Sequence, residues 1–199
     1  MNRSEMLKVF ASYRGDAPVI VGPGICGRIL YKISHHPATI YNMELGYAAA
    51  MCVGLATSLP GERVFALEGD GSMLMGIGTL STVARYRPRN LVIVVIDNRA
   101  YVTTGAMASA TASGTDLAAM ARGAGMEQVE RVTELAALDR SLQRATTTDG
   151  PHLIVADVEA DEMADLGKYP AMPFDIVESA VRFRRNLEDR ELIPPIWAI

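Results

Sequence analysis

The chain is 199 residues long, with 49% hydrophobic and 21% charged residues, which is ample material for a packed core and excludes intrinsic disorder. Nineteen basic residues against 23 acidic ones give a formal net charge of −4, which argues against nucleic acid or a membrane surface as partner. Two cysteines, Cys26 and Cys52, make neither a thiolate metal cluster nor a disulfide framework, and no stretch reaches the roughly 18 apolar residues of a membrane span, so a single-domain cytoplasmic protein is expected.

From the N-terminus, apolar spacing predicts a helix over 4–13, a strand over 17–21, a helix over 25–34 and a weaker strand over 39–42. Residues 46–58 (GYAAAMCVGLATS) are small and apolar almost all round, the pattern of a buried helix packed closely against a sheet or another chain. A strand over 64–67 leads into a helix over 72–87, whose Met73, Ile77, Leu80 and Ala84 share one stripe widened by Leu74 and Val83. A strong apolar strand follows over 91–96, then a helix over 115–124, a weaker strand over 128–132, a helix over 133–146 and a strand over 153–158. Beyond Met163, Pro170, Pro173, Pro194 and Pro195 bracket one charged helix over 175–189, with Arg182-Phe183-Arg184-Arg185 as a solvated face. The expected division is therefore a domain over 1–162 and a C-terminal arm and helix over 163–199.

Short, mostly apolar strands alternating with helices predict an α/β fold, an open, doubly wound parallel sheet with helices on both faces. Such sheets bind ligands outside the carboxyl ends of their strands. The residues there are Gly22-Pro23-Gly24, Glu68-Gly69-Asp70-Gly71-Ser72 and Asp97-Asn98-Arg99-Ala100. Glycines permit a tight turn into the helix from Ser72, whose free N–H groups and hydroxyl suit phosphate oxygens. A carboxylate beside phosphate calls for a bridging cation, and Mg²⁺ is the usual one. Taken alone, the turn reads equally well as an ordinary cap by Asp70, and Asp97-Asn98 as an Asx turn. If strands 64–67 and 91–96 are neighbours, Asn98 can offer its amide oxygen to the same ion as Asp70.

GDGS, then twenty-five residues between Gly71 and Asp97, then DN, resembles the cofactor signature of thiamine diphosphate-dependent enzymes. Supporting stretches are Met43-Glu44-Leu45-Gly46, LVIVVIDN ending at Asn98, and DLAAMARGAG from Asp116. The resemblance spans about residues 17–160, the diphosphate-binding (PP) domain of that superfamily, and is greatest to the small subunits of sulfopyruvate decarboxylases and the matching half of phosphonopyruvate decarboxylases. It implies thiamine diphosphate and Mg²⁺ as cofactors, with the metal on Asp70, Asn98 and the Ala100 carbonyl. It further implies that Gly69, Gly71 and Ser72 hold the diphosphate with backbone groups near Thr103, that Leu45 props the bent cofactor, and that the Met43 carbonyl meets the aminopyrimidine. The implied activity is that of a lyase, decarboxylation of a small 2-oxoacid.

Departures from the pattern bear on the substrate. Asp97 replaces the more usual Asn, and Glu44 stands where relatives carry a small hydroxyl residue. Glu44 is a candidate catalytic acid or base whose pKa burial would raise, an ion pair with a partner chain being the plainer reading. Residues 103–109 lack the Gln of the decarboxylase relatives, and Gly24–Leu30 lacks their Ser and Glu, leaving Arg28 as a candidate anion contact. His35, His36 and His152 have no metal-binding spacing and read as surface or packing residues. The glutamate that activates the pyrimidine belongs to the other, pyrimidine-binding (PYR) domain, for which this length leaves no room. The expectation is a heteromeric complex, α2β2 or larger, with a PYR-type partner supplying that glutamate. The rival readings are a carboligase subunit of the acetolactate synthase type and a non-catalytic thiamine diphosphate-binding module.

Overall fold

The computed structural model describes residues 1–160 and 167–195, so the expected boundary between 162 and 163 lies outside the described residues. Six strands form one sheet: β1 (Val19–Val21), β2 (Thr39–Ile40), β3 (Val64–Gly69), β4 (Leu91–Asp97), β7 (Gln128–Val132) and β8 (His152–Asp157). Their order is β2-β1-β3-β4-β8-β7 and every pairing is parallel. β3 and β4 are neighbours in a register that sets Gly69 against Ile96. Two further short strands, β5 (Ala100–Tyr101) and β6 (Met107–Ala108), pair as an antiparallel hairpin just beyond β4, which the apolar pattern does not predict.

The helices are α1 (Arg3–Arg14), α2 (Ile25–Ser34), α3 (Ala48–Ser58), α4 (Asp70–Met75), α5 (Thr79–Tyr86), α6 (Leu117–Gly123), α7 (Leu135–Thr147) and α8 (Ile176–Asp189). Alternate residues of each strand face opposite layers. Ala66, Ile93 and Val95 pack with α3, α5, α6 and α8, whereas Phe65, Leu67, Val92 and Val94 pack with α1, α2 and α7. All seven residues of β4 are buried, as a central strand covered on both faces requires. Burying each large apolar side chain contributes about 1.5–3 kcal/mol, so these two layers dominate the stability.

Three sequence expectations are corrected. The helix over 72–87 is two helices, α4 and α5, separated at Gly76–Gly78. A Cβ on Gly76 would stand 2.3 Å from the Gly46 carbonyl oxygen, so the backbones of these two glycines touch and the chain turns there instead of continuing the stripe. Gly46 has φ +83°, which keeps it out of α3; that helix buries Ala49, Cys52 and Ala56 but exposes Met51 to solvent. Phe183 does not share a solvated face with the neighbouring arginines but is buried with Leu187, and Ser179 on α8 accepts from Tyr41 N (3.0 Å) and donates to the Thr39 carbonyl (3.2 Å).

Candidate active site

The strand order reverses between β1 and β3: β2 lies outward of β1 on one side and β3 returns on the other. An open cleft lies at that switch point, outside the carboxyl ends of the strands. One wall carries Pro23, Gly24 and Ile25 after β1, and the other Gly69, Asp70, Gly71 and Ser72 after β3. Asn98 and Ala100 after β4 close the end, and Leu45 reaches in from the segment before α3. Folding thus brings seven of the expected residues together: Leu45, Gly69, Asp70, Gly71, Ser72, Asn98 and Ala100.

Asp70 is buried at the start of α4. Its Oδ2 accepts from Ser109 Oγ (2.5 Å), with Thr111 Oγ1 3.0 Å away, which fixes the carboxylate and leaves Oδ1 aimed at Asn98. Arg99, with φ +61°, reverses the chain after Asn98, and its N–H donates to Asp97 Oδ1 (3.2 Å). That turn carries the Ala100 carbonyl back to Asn98. One terminal atom of the Asn98 amide stands 3.0 Å from both Asp70 Oδ1 and Ala100 O, and the other stands 3.0 Å from Arg3 Nη2. With its oxygen toward Asp70 and Ala100, that oxygen faces two acceptors and accepts only a long bond from Ala100 N (3.4 Å), and with its nitrogen there the amide donates to both acceptors.

The first orientation fits a divalent cation. An octahedral Mg²⁺ with oxygens at about 2.0–2.1 Å separates adjacent ligands by about 2.9 Å, close to the spacing found. The donor set is one carboxylate, one amide and one carbonyl. Among the described residues no group of three or more His, Cys, Asp or Glu side chains is placed to hold a metal. Such a set leaves positions for phosphate oxygens or water, as Mg²⁺ prefers. Asp97, also buried, accepts from Thr111 Oγ1 at 2.8 Å; burial pushes its pKa up, the Thr111 bond acts against this, and the Asp70 charge adds to it. Arg131 Nη2 stands 3.5 Å from Asp97 Oδ2 and supplies that carboxylate with a counter-charge of its own, so the cation position serves Asp70.

Ser72 departs from expectation. Its hydroxyl proton goes to Glu68 Oε2 (2.5 Å) and its oxygen accepts from Gly46 N (3.0 Å), so the side chain is committed within the fold instead of being a free phosphate donor. Glu68, 1% exposed at the end of β3, also accepts from Ala49 N (2.9 Å). Burial raises its pKa, against the lowering by these hydrogen bonds. Glu68 therefore ties the first turn of α3 to Ser72 at the start of α4, and Ser72 in turn holds Gly46 before α3. Its only signal in the sequence is an acid ending an apolar strand. Ser109 and Thr111 carry none, because the hairpin that returns them to Asp70 has no apolar period.

Glu44, expected beside a buried pocket, is exposed where the chain swings outward between Met43 and Gly46. Met43 is buried and its N–H donates to the Val21 carbonyl (2.8 Å), whereas Leu45 is 36% exposed. Thr103 lies in the 3-10 turn Val102–Thr104 beyond β5. The Tyr101 ring covers Gly71 so closely that a Cβ there would fall 2.1 Å from it. Arg28 donates to the Tyr169 carbonyl (3.3 Å) on the α2 side. The histidines pack: His35 bonds Tyr41 Oη (3.1 Å), His36 bonds Asp16 (3.1 Å) and His152 is buried on β8.

The model of the "Thiamine pyrophosphate enzyme, C-terminal TPP binding domain" family matches residues 29–156. The chain is 34% identical over 191 residues to the sulfopyruvate decarboxylase subunit beta of Methanothermobacter thermautotrophicus, covering 94% of this chain and 96% of that one. It is 33% identical over 178 residues to the phosphonopyruvate decarboxylase of Streptomyces viridochromogenes, covering 89% of this chain but only 44% of that protein. The fold is shared with the 4-hydroxybenzoylformate decarboxylase of Rhodococcus jostii at a TM-score of 0.69 and 21% identity, over 81% of this chain and 33% of that one.

Proposed function

The chain belongs to the family of thiamine pyrophosphate enzyme C-terminal TPP-binding domains, and from that premise we propose that it is the diphosphate- and Mg²⁺-binding subunit of a heteromeric 2-oxoacid decarboxylase. The observation that carries this reading is the convergence of Asp70 Oδ1, the Asn98 amide and the Ala100 carbonyl at the carboxyl ends of β3 and β4. On this reading those three groups hold Mg²⁺, and the backbone at Gly69, Gly71, Ser72 and Thr103 surrounds the diphosphate. Leu45 props the cofactor from the cleft wall and the Met43 carbonyl accepts from its pyrimidine. Thiamine diphosphate, when bound, supplies the nucleophilic carbon and the electron sink for loss of CO₂ from a 2-oxoacid. The chain's own contribution is to position the cofactor and fix the carboxylate of Asp70 through Ser109 and Thr111.

The partner is proposed to be a PYR-type polypeptide that supplies the activating glutamate. Two observations support it. Relatives that this chain nearly spans are named as beta subunits. Beside the cleft, around the Gly46–Gly76 contact, Leu45, Tyr47, Met51 and Met75 are exposed, Tyr47 and Met75 by 60% and 63%. Covering this patch would also enclose Glu44, and only then would its carboxylate meet the pyrimidine side of the site.

The experiment is a pair of measurements. Thiamine diphosphate with Mg²⁺ should raise the melting temperature of the chain, binding at a hundredfold excess over Kd being worth about 2.7 kcal/mol. An unresponsive melting temperature overturns the cofactor reading. Consumption of sulfopyruvate, phosphonopyruvate or another 2-oxoacid, with aldehyde as product, should then require the PYR-type subunit. Substantial turnover by the chain alone overturns the shared site, and acyloin in place of aldehyde overturns decarboxylation as the reaction.

A further inference from the structure

Arg3 stands in the first turn of α1, far in sequence from every residue of the cofactor signature. Asn2 caps that helix by accepting from Ser4 N and Glu5 N, and Glu159 N donates to the Met1 carbonyl (3.0 Å). Ser4 Oγ and Tyr169 Oη are 2.7 Å apart. These contacts hold the start of α1 at the carboxyl edge of the sheet, where Arg3 is 7% exposed and lines the same cleft as Gly71 and Asn98. Its Nη2 faces the Asn98 amide at 3.0 Å from the side away from Asp70 and Ala100.

An amide has one oxygen, and two sites compete for this one. Turned toward Asp70 and Ala100, the oxygen completes the cation site but sets an NH₂ group against the guanidinium, donor against donor. Turned toward Arg3, it accepts from the guanidinium, and the NH₂ group takes the place of the ligand oxygen and donates to Asp70 and Ala100. The second arrangement satisfies Asp70, the Ala100 carbonyl and Arg3 without a metal, at the loss of the long bond from Ala100 N. An anion reaching Arg3 from the cleft would give the guanidinium another acceptor and free the amide to turn.

We propose that Arg3 is a positioning residue that couples the two halves of cofactor binding, opposing a divalent cation alone and admitting it together with a diphosphate. The inference deepens the cofactor reading above and rests on it. Arg3 acts through Asn98 on the metal and directly on the anion, and the coupling is reciprocal, so Mg²⁺ strengthens diphosphate binding by the same factor.

Mn²⁺, followed by its electron paramagnetic resonance signal, tests this on the full chain without recourse to activity. For wild type, Mn²⁺ alone should bind weakly and thiamine diphosphate should strengthen it strongly. In Arg3→Met, Mn²⁺ alone should bind about tenfold tighter, the worth of one charge-assisted hydrogen bond, and the strengthening by thiamine diphosphate should shrink by a similar factor. Arg3→Lys, which keeps a cation and its donors, should stay near wild type, and circular dichroism checks that each variant is folded. Equal Mn²⁺ affinities and equal strengthening in wild type and Arg3→Met overturn the proposal. Should Arg3→Met not fold, Arg3→Gln carries the same expectation, and a wild type whose Mn²⁺ affinity ignores thiamine diphosphate overturns the coupling by itself. A wild type that binds no Mn²⁺ even with thiamine diphosphate overturns the cofactor reading and the inference with it.

Discussion

Asp70 and Asn98 are separated by twenty-seven intervening residues yet share one 3.0 Å contact, and each was legible in the sequence because the GDGS turn and the DN pair both end apolar strands. Replacing either by Ala removes one of three converging oxygens, so the melting-temperature rise with thiamine diphosphate and Mg²⁺ should disappear in calorimetry while the unliganded transition stays cooperative. Glu68 behaves differently. Its loss in Glu68→Ala strands the Ser72 hydroxyl and the Ala49 N–H, and urea titration should show destabilisation on the order of 3 kcal/mol. Because burial raises the Glu68 pKa in the folded state, its contribution is fully present below the unfolded value and is lost as pH rises through the folded one. Stability of wild type relative to Glu68→Gln should therefore fall with rising pH across that window, and an opposite slope would contradict the assignment. Neither Glu68, Ser109 nor Arg3 stood out in the sequence, since each acts by a contact across the fold and none by a local pattern.

At the scale of elements, the strands were the most legible part of the chain. β7 occupies the residues its pattern predicts, and β3 and β4 extend the expected strands by two residues and one, because buried parallel strands are continuous apolar runs. Helix 72–87 was the main failure, and its cause is steric. Its stripe from Met73 to Ala84 is continuous, but Gly76 touches Gly46 and the chain must turn between α4 and α5 to let the segment before α3 approach the GDGS turn. Gly76→Ala would set a Cβ 2.3 Å from the Gly46 carbonyl oxygen, and the overpacking should cost about 1–3 kcal/mol by thermal unfolding, despite alanine's better helix propensity. A stabilised variant would show that the glycine contact is not the reason for the break. The hairpin of β5 and β6 was invisible for another reason: two-residue strands have no period, and this one exists to return Ser109 to Asp70.

For the whole molecule, the two apolar layers enclose the sheet while the polar cleft opens at the one place where the strand order reverses. Among the described residues no helix is long and apolar enough to cross a membrane. Its three histidines lie partly or wholly inside this packing, and burial is the leading cause that lowers each of their pKa values. Histidines with depressed native values support stability that is present above about pH 6.5 and lost as pH falls through those values. The urea midpoint should accordingly drop between pH 7.5 and 5.5, and a midpoint that rises on acidification would contradict their burial. The alternation of strands and helices, the parallel sheet and the two loops that carry Asp70 and Asn98 are readable before any folding, because local apolar period and glycine turns encode them. Packing across the sheet sets which oxygens meet, that the Ser72 hydroxyl belongs to Glu68, that Glu44 faces solvent, and that Arg3 stands against the Asn98 amide. Those are contacts between segments up to about a hundred residues apart, set by how layers pack over a sheet, and no local pattern records them.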